Sequence, residues 1–245
     1  MQNDRSTLSR DEWDLLSNII HAYDATEIIP TTKQLFEAQL MLPLKVRSKP
    51  TTALNIYRRF YALFIPFVQR TRYFHEISFE TSEELTQNNF RGFGIFHSGY
   101  IMRELNGLHD PLLRSGLSAF YTGDVESKME RFASRLESDP SLIKIILMIL
   151  AFSPNSSIVS FDMSSRNYIA GNSLTISKIQ DTIVTMFWKY LLYKYGFVAA
   201  VQRLSSHVKY LIDMLQTVHE QQGEQIRAVV HTMIDDAKQS LTIKD

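Results

Sequence analysis

The sequence predicts an all-α fold of about ten helices with at most one small β-hairpin. Glycine and proline contribute only 9 and 7 of the 245 residues, less than the roughly 12% that the two average together in proteins. Apolar residues also recur at spacings of three and four along most of the chain, which is the period of an amphipathic helix. The connections between the predicted helices are short apart from the first, so we expect one domain over residues 1–245.

The first helix is predicted over residues 10–23. Ser9 and Glu12 have the spacing of a capping box, in which the hydroxyl and the carboxylate satisfy N–H groups of the first turn. The polar residues 1–9 are expected to form a flexible N-terminus. Residues 24–50 contain three prolines and lose the helical period, so they are predicted to be loop-rich with at most one short helix.

The central part of the chain is predicted to form two long helical stretches. The first covers residues 52–72 and is expected to kink at Pro66, because proline lacks an N–H and its ring crowds the preceding turn. Thr81 and Glu84 have the spacing of a second capping box, which would open a helix that continues in two segments to about residue 105. Three glycines inside that helix each cost about 1 kcal/mol relative to alanine, so we expect something to compensate for them.

The next stretch combines a possible hairpin with two shorter helices. Residues 106–123 mix glycine, proline and apolar residues, and they are the one place where a small hairpin fits. Helices are predicted over residues 125–136 and 141–152. The second of them begins with Asp139 as the cap and Pro140 at the first helical position, an arrangement that favours helix initiation.

The last third of the sequence predicts long helices. They cover residues 174–195 and 198–221 and are separated at Gly196. A further helical pattern lies within residues 224–245, and we expect it to form an atypical C-terminal helix.

Composition and motifs exclude several classes of function. The chain has no cysteine, which excludes disulfides, cysteine-based metal sites and a thiol nucleophile. Its 26 basic and 26 acidic residues balance, so a dominant phosphate-binding surface is not expected, although a local basic patch remains compatible. Phosphate-binding glycine loops, metalloprotease and serine-hydrolase motifs are absent, and no apolar run reaches the roughly 18–20 residues of a membrane span. We therefore expect no enzyme, no metal, no cofactor and no membrane-spanning segment.

Three stretches of the chain, taken in order, carry a resemblance to a known family. Residues 67–98 resemble the signature of the nuclear receptor ligand-binding domain. The apolar positions of that signature fall here on Phe67, Phe74, Ile77 and Leu85. Residues 142–159 resemble the buried eighth helix of the family, and residues 179–191 with 211–222 resemble its ninth and tenth helices. Within the family, the chain is most similar to the lipid-sensing branch of vitamin D and xenobiotic receptors.

The resemblance implies a three-layer antiparallel helical sandwich that encloses a ligand cavity and presents an external groove for coregulator helices. It implies a transcription regulator of the nucleus that responds to a lipophilic small molecule, or an orphan receptor. The family reads DNA with a separate zinc module of eight cysteines, so neither nucleic-acid nor membrane contact is expected of this chain. The alternative is a helical scaffold or adaptor that keeps the receptor frame for protein–protein interaction without a ligand.

Nine residues match family positions that line the ligand cavity. They are Ala53, Ile56, Tyr57, Phe60, Phe64, Gly94, His97, Ser98 and Ile101. In the ligand hypothesis, the glycine leaves room for the ligand, and His97 with Ser98 binds its polar end. In the alternative, the aromatic residues fill the space themselves and His97 is a hydrogen-bonded core histidine.

The charges with which the family binds coactivators are missing. Two lysines and a glutamate there cap the ends of a short leucine-rich helix. The matching positions here are Gln69, Gln87 and Thr232. We therefore expect impaired coactivator recruitment and a preference for corepressor peptides. The alternative is that residues 225–241 only extend the preceding helix and pack on the core.

An apolar stripe on the predicted tenth helix matches the dimer interface of the family. It comprises Val201, Leu204, Val208, Leu211 and Leu215. The resemblance implies a homodimer, or a heterodimer with a retinoid X receptor-like partner. Because a long helix must also bury one face in its own core, the stripe is alternatively internal.

Overall fold

The computed structural model describes residues 8–47, 50–110, 125–154, 173–221 and 224–242, and the regular structure in these ranges is entirely helical. The α-helices are α1 (Arg10–Asp24), α2 (Ile28–Leu40), α3 (Leu44–Arg47), α4 (Pro50–Ala62), α5 (Phe64–Gln69), α6 (Phe79–Glu104), α7 (Val125–Arg135), α8 (Pro140–Ala151), α9 (Ser173–Tyr195), α10 (Phe197–Gln221) and α11 (Glu224–Thr242). The all-α class is confirmed. Of the stretch in which a hairpin was possible, residues 107–109 form a 3-10 turn and residues 111–124 lie outside the described residues.

Two helix starts follow the predicted caps. The hydroxyl of Ser9 accepts from the N–H of Glu12 at 3.3 Å, and the Glu12 carboxylate accepts from the N–H of Ser9 at 2.7 Å, so the first capping box is confirmed. Asp139 caps α8 by accepting from the N–H of Ser141 at 3.0 Å. Residues 1–7 lie outside the described residues, and Leu8 is buried.

The prediction that residues 24–50 are loop-rich is wrong, because α2 and α3 occupy most of this stretch. Pro30 is the third residue of α2, and Pro50 is the first residue of α4. A helix has no internal partner for the N–H groups of its first turn, so a proline at these positions sacrifices no hydrogen bond. The turn between α1 and α2 is made by Glu27, whose φ of 50° is left-handed.

The helix predicted over residues 52–72 is interrupted shortly before Pro66, and the second predicted cap is wrong. The helical stretch is divided at Leu63 into α4 and α5, since Pro66 has no N–H for the carbonyl one turn before it. The cap of α6 is Ser78 instead of Thr81, because the Ser78 hydroxyl accepts from the Thr81 N–H at 3.3 Å. Glu84 therefore lies inside the helix and has no role in its cap.

Helix α6 is continuous over 26 residues, so the two segments predicted there are wrong. One of its glycines, Gly94, is required by close packing. A Cβ at Gly94 would lie closer than 3.0 Å to the ring of Tyr61 on α4, so only glycine lets the two helices approach this closely. This contact compensates for the low helix propensity of glycine at that position.

Helix α6 also organises the surrounding helices. It packs against α4, α5, α7, α8, α10 and α11. Helices α9 and α10 pack on each other and are joined by Gly196 alone, whose φ of +74° is the left-handed conformation that glycine adopts without strain. The break predicted at this glycine is confirmed.

Candidate functional site

The nine predicted ligand-binding positions come together where α4 and α5 face α6. Ala53, Ile56, Tyr57 and Phe60 belong to α4, Phe64 belongs to α5, and Gly94, His97, Ser98 and Ile101 belong to α6. The side chain of Ala53 lies outside the described part of the chain. The structure therefore places the predicted set at one interface between helices.

Aromatic side chains interlock at this interface. The ring of Phe64 lies edge-on to Phe93 with centroids 5.0 Å apart, and the ring of Tyr61 lies 5.6 Å from that of Phe90. Tyr57 and Phe60 make a further edge contact at 5.6 Å. Such pairs contribute about 0.5–1.5 kcal/mol beyond the burial of their area. The pairs of Tyr61 with Phe90 and of Phe64 with Phe93 therefore help to hold α4 and α5 against α6, whereas the Tyr57–Phe60 pair lies within α4.

The predicted lining leaves little surface for a ligand. A cavity of several hundred cubic ångströms leaves water-accessible surface on the side chains that line it. Tyr57, at 8%, is the most exposed of the predicted side chains that the structure describes, and His97 is 0% exposed. These side chains pack against one another as a core does.

His97 is fully hydrogen-bonded within this core. Its Nδ1 lies 2.8 Å from the carbonyl oxygen of Phe60, and its Nε2 lies 3.0 Å from the hydroxyl of Tyr23. Because a carbonyl only accepts, Nδ1 carries the proton, and Nε2 accepts from the tyrosine hydroxyl. The second predicted anchor, Ser98, donates to the carbonyl oxygen of Gly94 at 2.6 Å. Both groups are thus occupied by the chain itself.

The protonation states of His97 and Tyr23 follow from their burial. Removal from water lowers the pKa of His97 to about 4, although its hydrogen bond to the Phe60 carbonyl acts in the opposite direction. Burial also raises the pKa of Tyr23 well above its usual value. At neutral pH both groups are therefore uncharged, which suits a buried structural contact.

An open cavity of about 670 Å³ lies elsewhere, between the end of α6, the following 3-10 turn and α7. Its lining includes Arg103, Glu104, His109 and Glu130. The guanidinium of Arg103 donates to Leu136 O at 3.0 Å and to the Glu104 carboxylate at 2.9 Å, so it already has protein partners. None of the nine predicted ligand-binding positions contributes to this cavity.

The three predicted coregulator residues lie on helices that pack together. Gln69 ends α5, Gln87 lies on α6, and Thr232 lies exposed on α11. Helix α11 packs across α4, α5 and α6, and its buried residues are Val230, Met233, Ile234 and Leu241. Helix α11, which carries Thr232, therefore packs on both helices that carry the two predicted glutamines.

The predicted dimer stripe on α10 is divided between core and surface. Leu204 and Leu211 are half-buried and pack on the core, whereas Val201 and Val208 are exposed. The side chain of Leu215 lies outside the described part. Phe197, 67% exposed, and Ile212 extend the exposed face by one turn at each end. Neither residue was in the predicted stripe, although both share its spacing.

A partly buried ionic cluster beside the α9–α10 junction was not predicted from the sequence. The carboxylate of Glu137, in the turn before α8, is bound by the guanidinium of Arg203, which lies 4.0 Å from the ring centroid of Tyr195. Nε2 of His207 lies 3.5 Å from the same carboxylate. The nearby cap residue Asp139 pairs with Lys194. These residues are far apart in sequence, and only the fold brings them together.

The electrostatics of the cluster favour its ionised form. Burial alone would raise the pKa of Glu137, but the hydrogen bond and charge of Arg203, with the N–H groups of Ser138 and Asp139, outweigh it and lower that pKa. Burial lowers the pKa of His207, and the charge of Glu137 opposes this. The pair of Glu137 and Arg203 is thus ionised at neutral pH.

The described ranges hold neither a metal-ligand cluster nor a membrane-spanning helix. No group of three or more potential ligand side chains is placed to hold a metal ion there. Among the same residues, no helix combines the length and the apolar character that crossing a bilayer requires. Neither protein-family models nor curated protein sequences match this chain.

Proposed function

We propose that this chain is a regulatory domain of the nuclear receptor ligand-binding type. We propose further that it acts in the nucleus as an orphan regulator of transcription. The arrangement of helices around the central α6 supports a three-layer antiparallel sandwich of about ten helices. The proposal assigns no catalytic chemistry to the chain. Its output is carried by protein partners bound at α10 and beside Gln69, Gln87 and Thr232.

The observation that carries the orphan assignment is the packing between α4 and α6. His97 has both ring nitrogens hydrogen-bonded inside the protein, and the ring of Tyr61 fills the space beside Gly94. A lipophilic ligand at this interface would have to displace these side chains and break the contacts of the histidine. The domain is therefore held in one state without a ligand.

Native mass spectrometry of the chain purified from cells tests the orphan assignment. We expect the mass of the polypeptide alone, because the predicted lining is already filled. A stoichiometric lipid that is lost when the protein unfolds would overturn the assignment and establish a ligand-responsive receptor at the nine positions.

The missing clamp charges support a preference for corepressor peptides. Fluorescence anisotropy with a leucine-rich coactivator peptide should show weak binding by the wild type, and Gln69→Lys with Gln87→Lys should not restore it while Thr232 remains. Adding Thr232→Glu supplies the third charge and should strengthen binding. Tight binding by the wild type would show that the clamp assignment is wrong.

A helical scaffold or adaptor is the second candidate, favoured by the same filled core and by the exposed apolar face of α10. The two candidates differ in what they do when brought to DNA. Fused to an unrelated DNA-binding domain, a receptor-type regulator should change reporter transcription, whereas a scaffold should leave it unchanged. Loss of the effect in Val201→Glu with Val208→Glu would assign it to the α10 face.

A further inference from the structure

The walls of the open cavity between the end of α6 and α7 are tied together. Helix α6 packs on α7 and on the following 3-10 turn, and α7 packs on the same turn. The guanidinium of Arg103 also joins α6 to the turn before α8, because it donates to the carbonyl oxygens of Leu136 at 3.0 Å and Glu137 at 2.6 Å. The volume of about 670 Å³ lies within the roughly 300–1,000 Å³ of small-molecule sites. The cavity is therefore preformed and large enough for a small ligand.

The lining of this cavity carries one unbalanced negative charge. Glu104 accepts from Nε and Nη2 of Arg103 at 3.3 Å and 2.9 Å, so these two charges compensate each other. Glu130 is exposed on α7 and forms no ion pair within the described part of the chain. Its neighbour Arg131 donates instead to a backbone carbonyl of α7 at 3.1 Å. With His109 neutral, the carboxylate of Glu130 therefore attracts a cation into the cavity.

Two further hydrogen-bond acceptors line the cavity with Glu130. Ser134 lies four residues after Glu130 and thus on the same face of α7. Its hydroxyl donates to the carbonyl oxygen of Arg131 at 3.0 Å, which leaves the lone pairs of the hydroxyl oxygen available. Asn106, at the end of α6, contributes an amide that has no partner among the described residues. An ammonium group has three donors and no acceptor, so a carboxylate, a hydroxyl oxygen and an amide oxygen suit it.

We propose that this cavity binds a small primary amine. The ammonium group of the amine binds Glu130, Ser134 and Asn106. The carbon body of the amine packs on the apolar part of the lining, which consists of Met102, Ala133 and Leu136. None of the nine predicted ligand-binding positions lines this cavity, so the inference does not rest on the proposed role in transcription.

The groups in the lining favour a primary amine over other charged ligands. An anion would need free donors, and the guanidinium of Arg103 already donates to Glu104 and to two carbonyl oxygens. A quaternary ammonium is usually bound by aromatic faces, and the lining described here has no phenylalanine, tyrosine or tryptophan. A metal ion would need a group of ligands, and no such group of three exists among the described residues.

Isothermal titration calorimetry of the full chain tests the proposal with two probes of matched shape. Phenethylamine carries an ammonium group where 2-phenylethanol carries a hydroxyl, so the pair isolates the charge. We expect phenethylamine to bind at least about tenfold more tightly than the alcohol, because charge-assisted hydrogen bonds are stronger than neutral ones. Equal affinity for the two probes, or no binding of phenethylamine, would overturn the proposal.

Substitutions in the lining locate the bound amine. Glu130→Gln should weaken the binding of phenethylamine about five- to tenfold and leave that of the alcohol unchanged. Ser134→Leu removes an acceptor and places a larger side chain in the cavity, so it should weaken the binding of both probes. Both residues are exposed on α7, so circular dichroism should show intact folds.

A matched control separates the cavity from general charge. Glu84→Gln removes the same charge from an exposed position near the other end of α6 and should leave both affinities unchanged. Equal losses in Glu84→Gln and Glu130→Gln would show that the amine is not bound in the cavity. Tighter binding of a short lysine-containing peptide than of phenethylamine, lost in Glu130→Gln, would also overturn the proposal and assign the cavity to a lysine side chain of a protein partner.

Discussion

The ring of Tyr61 on α4 occupies the space that a side chain at Gly94 on α6 would need. The contact joins the two helices on which most of the predicted ligand-binding residues lie. Its atoms belong to the ring itself, so they cannot move aside without a change of the tyrosine rotamer or of the helix position. The close packing of α4 on α6 therefore requires glycine at position 94.

Gly94→Ala should destabilise the protein by about 1–3 kcal/mol. The added methyl group overlaps the Tyr61 ring, and overpacking of a core costs this much even though alanine favours a helix. Urea denaturation followed by far-ultraviolet circular dichroism measures the effect. Gly99→Ala is the matched control, because its nearest neighbours lie at 3.8 Å, an ordinary contact distance, and it should be neutral or stabilising. Equal effects at the two glycines would contradict this account.

The free energy of unfolding should fall as the pH is lowered from about 6.5 to about 4. The pKa of His97 is 6.5 when unfolded and about 4 when folded, so in this window the unfolded chain binds a proton that the folded chain does not. The full effect is about 3 kcal/mol. His207, whose pKa burial also lowers, changes stability in the same direction.

His97→Gln isolates the contribution of this histidine. Glutamine does not titrate, so the variant should lose most of the dependence between pH 6.5 and pH 4 even where its stability at neutral pH is lower. Urea titrations at a series of pH values give the comparison. An unchanged slope in the variant would show that His97 is not the group responsible.

Breaking the pair between Glu137 and Arg203 should cost about 2 kcal/mol. The carboxylate side chain is 5% exposed, and removing its partner leaves a buried charge, but the guanidinium is partly exposed and keeps some hydration. A double-mutant cycle with Glu137→Gln and Arg203→Ala measures the coupling. Arg203→Lys should not restore it, because lysine lacks the planar group that stacks on Tyr195. Additive effects would contradict a direct pair.

The pair of Glu137 and Arg203 loses its contribution to stability at a lower pH than the histidines do. The pKa of Glu137 is lowered in the folded state, so its contribution is present above the usual carboxylate pKa of 4.5 and is lost as the pH falls below it. In the Arg203→Ala variant this loss at low pH should be smaller than in the wild type.

Val201→Glu with Val208→Glu should abolish self-association if α10 forms the dimer interface. Both side chains are exposed in the monomer, so charge at these positions should spare the fold while repelling the partner copy. Sedimentation velocity over a range of concentrations measures the change. Val184→Glu, at a comparably exposed position on α9, is the control and should leave association intact. A wild type that stays monomeric would exclude a homodimer.

Local sequence signals predicted the parts of the fold that depend on local chemistry. The caps at Ser9 and Asp139 and the break at Gly196 follow from hydrogen bonds and dihedral angles within one or two turns. Prolines were ambiguous, because Pro30 and Pro66 are each the third residue of a helix, α2 and α5. Pro66 follows α4 almost directly, so the same position looks like the interruption of one longer helix.

Contacts between residues far apart in the sequence could not be predicted from local signals. The nine predicted cavity positions lie on α4, α5 and α6, which pack together, but the sequence did not show that Tyr23 reaches His97 across 74 positions. Nor did it show that Glu137 meets Arg203 across 66 positions. Both pairs depend on how helices pack, and helical spacing carries information about one helix at a time.

The single-residue junction at Gly196 also sets which face of α10 turns toward the core. Each residue turns a helix by about 100°, so one residue inserted at this junction would bring Lys209 to the buried position of Tyr210 and Ser206 to that of His207. An insertion in the junction would thus misplace a whole helix face, whereas a substitution disturbs one contact. The junction between α9 and α10 must therefore preserve its length as well as its glycine, whose φ is left-handed.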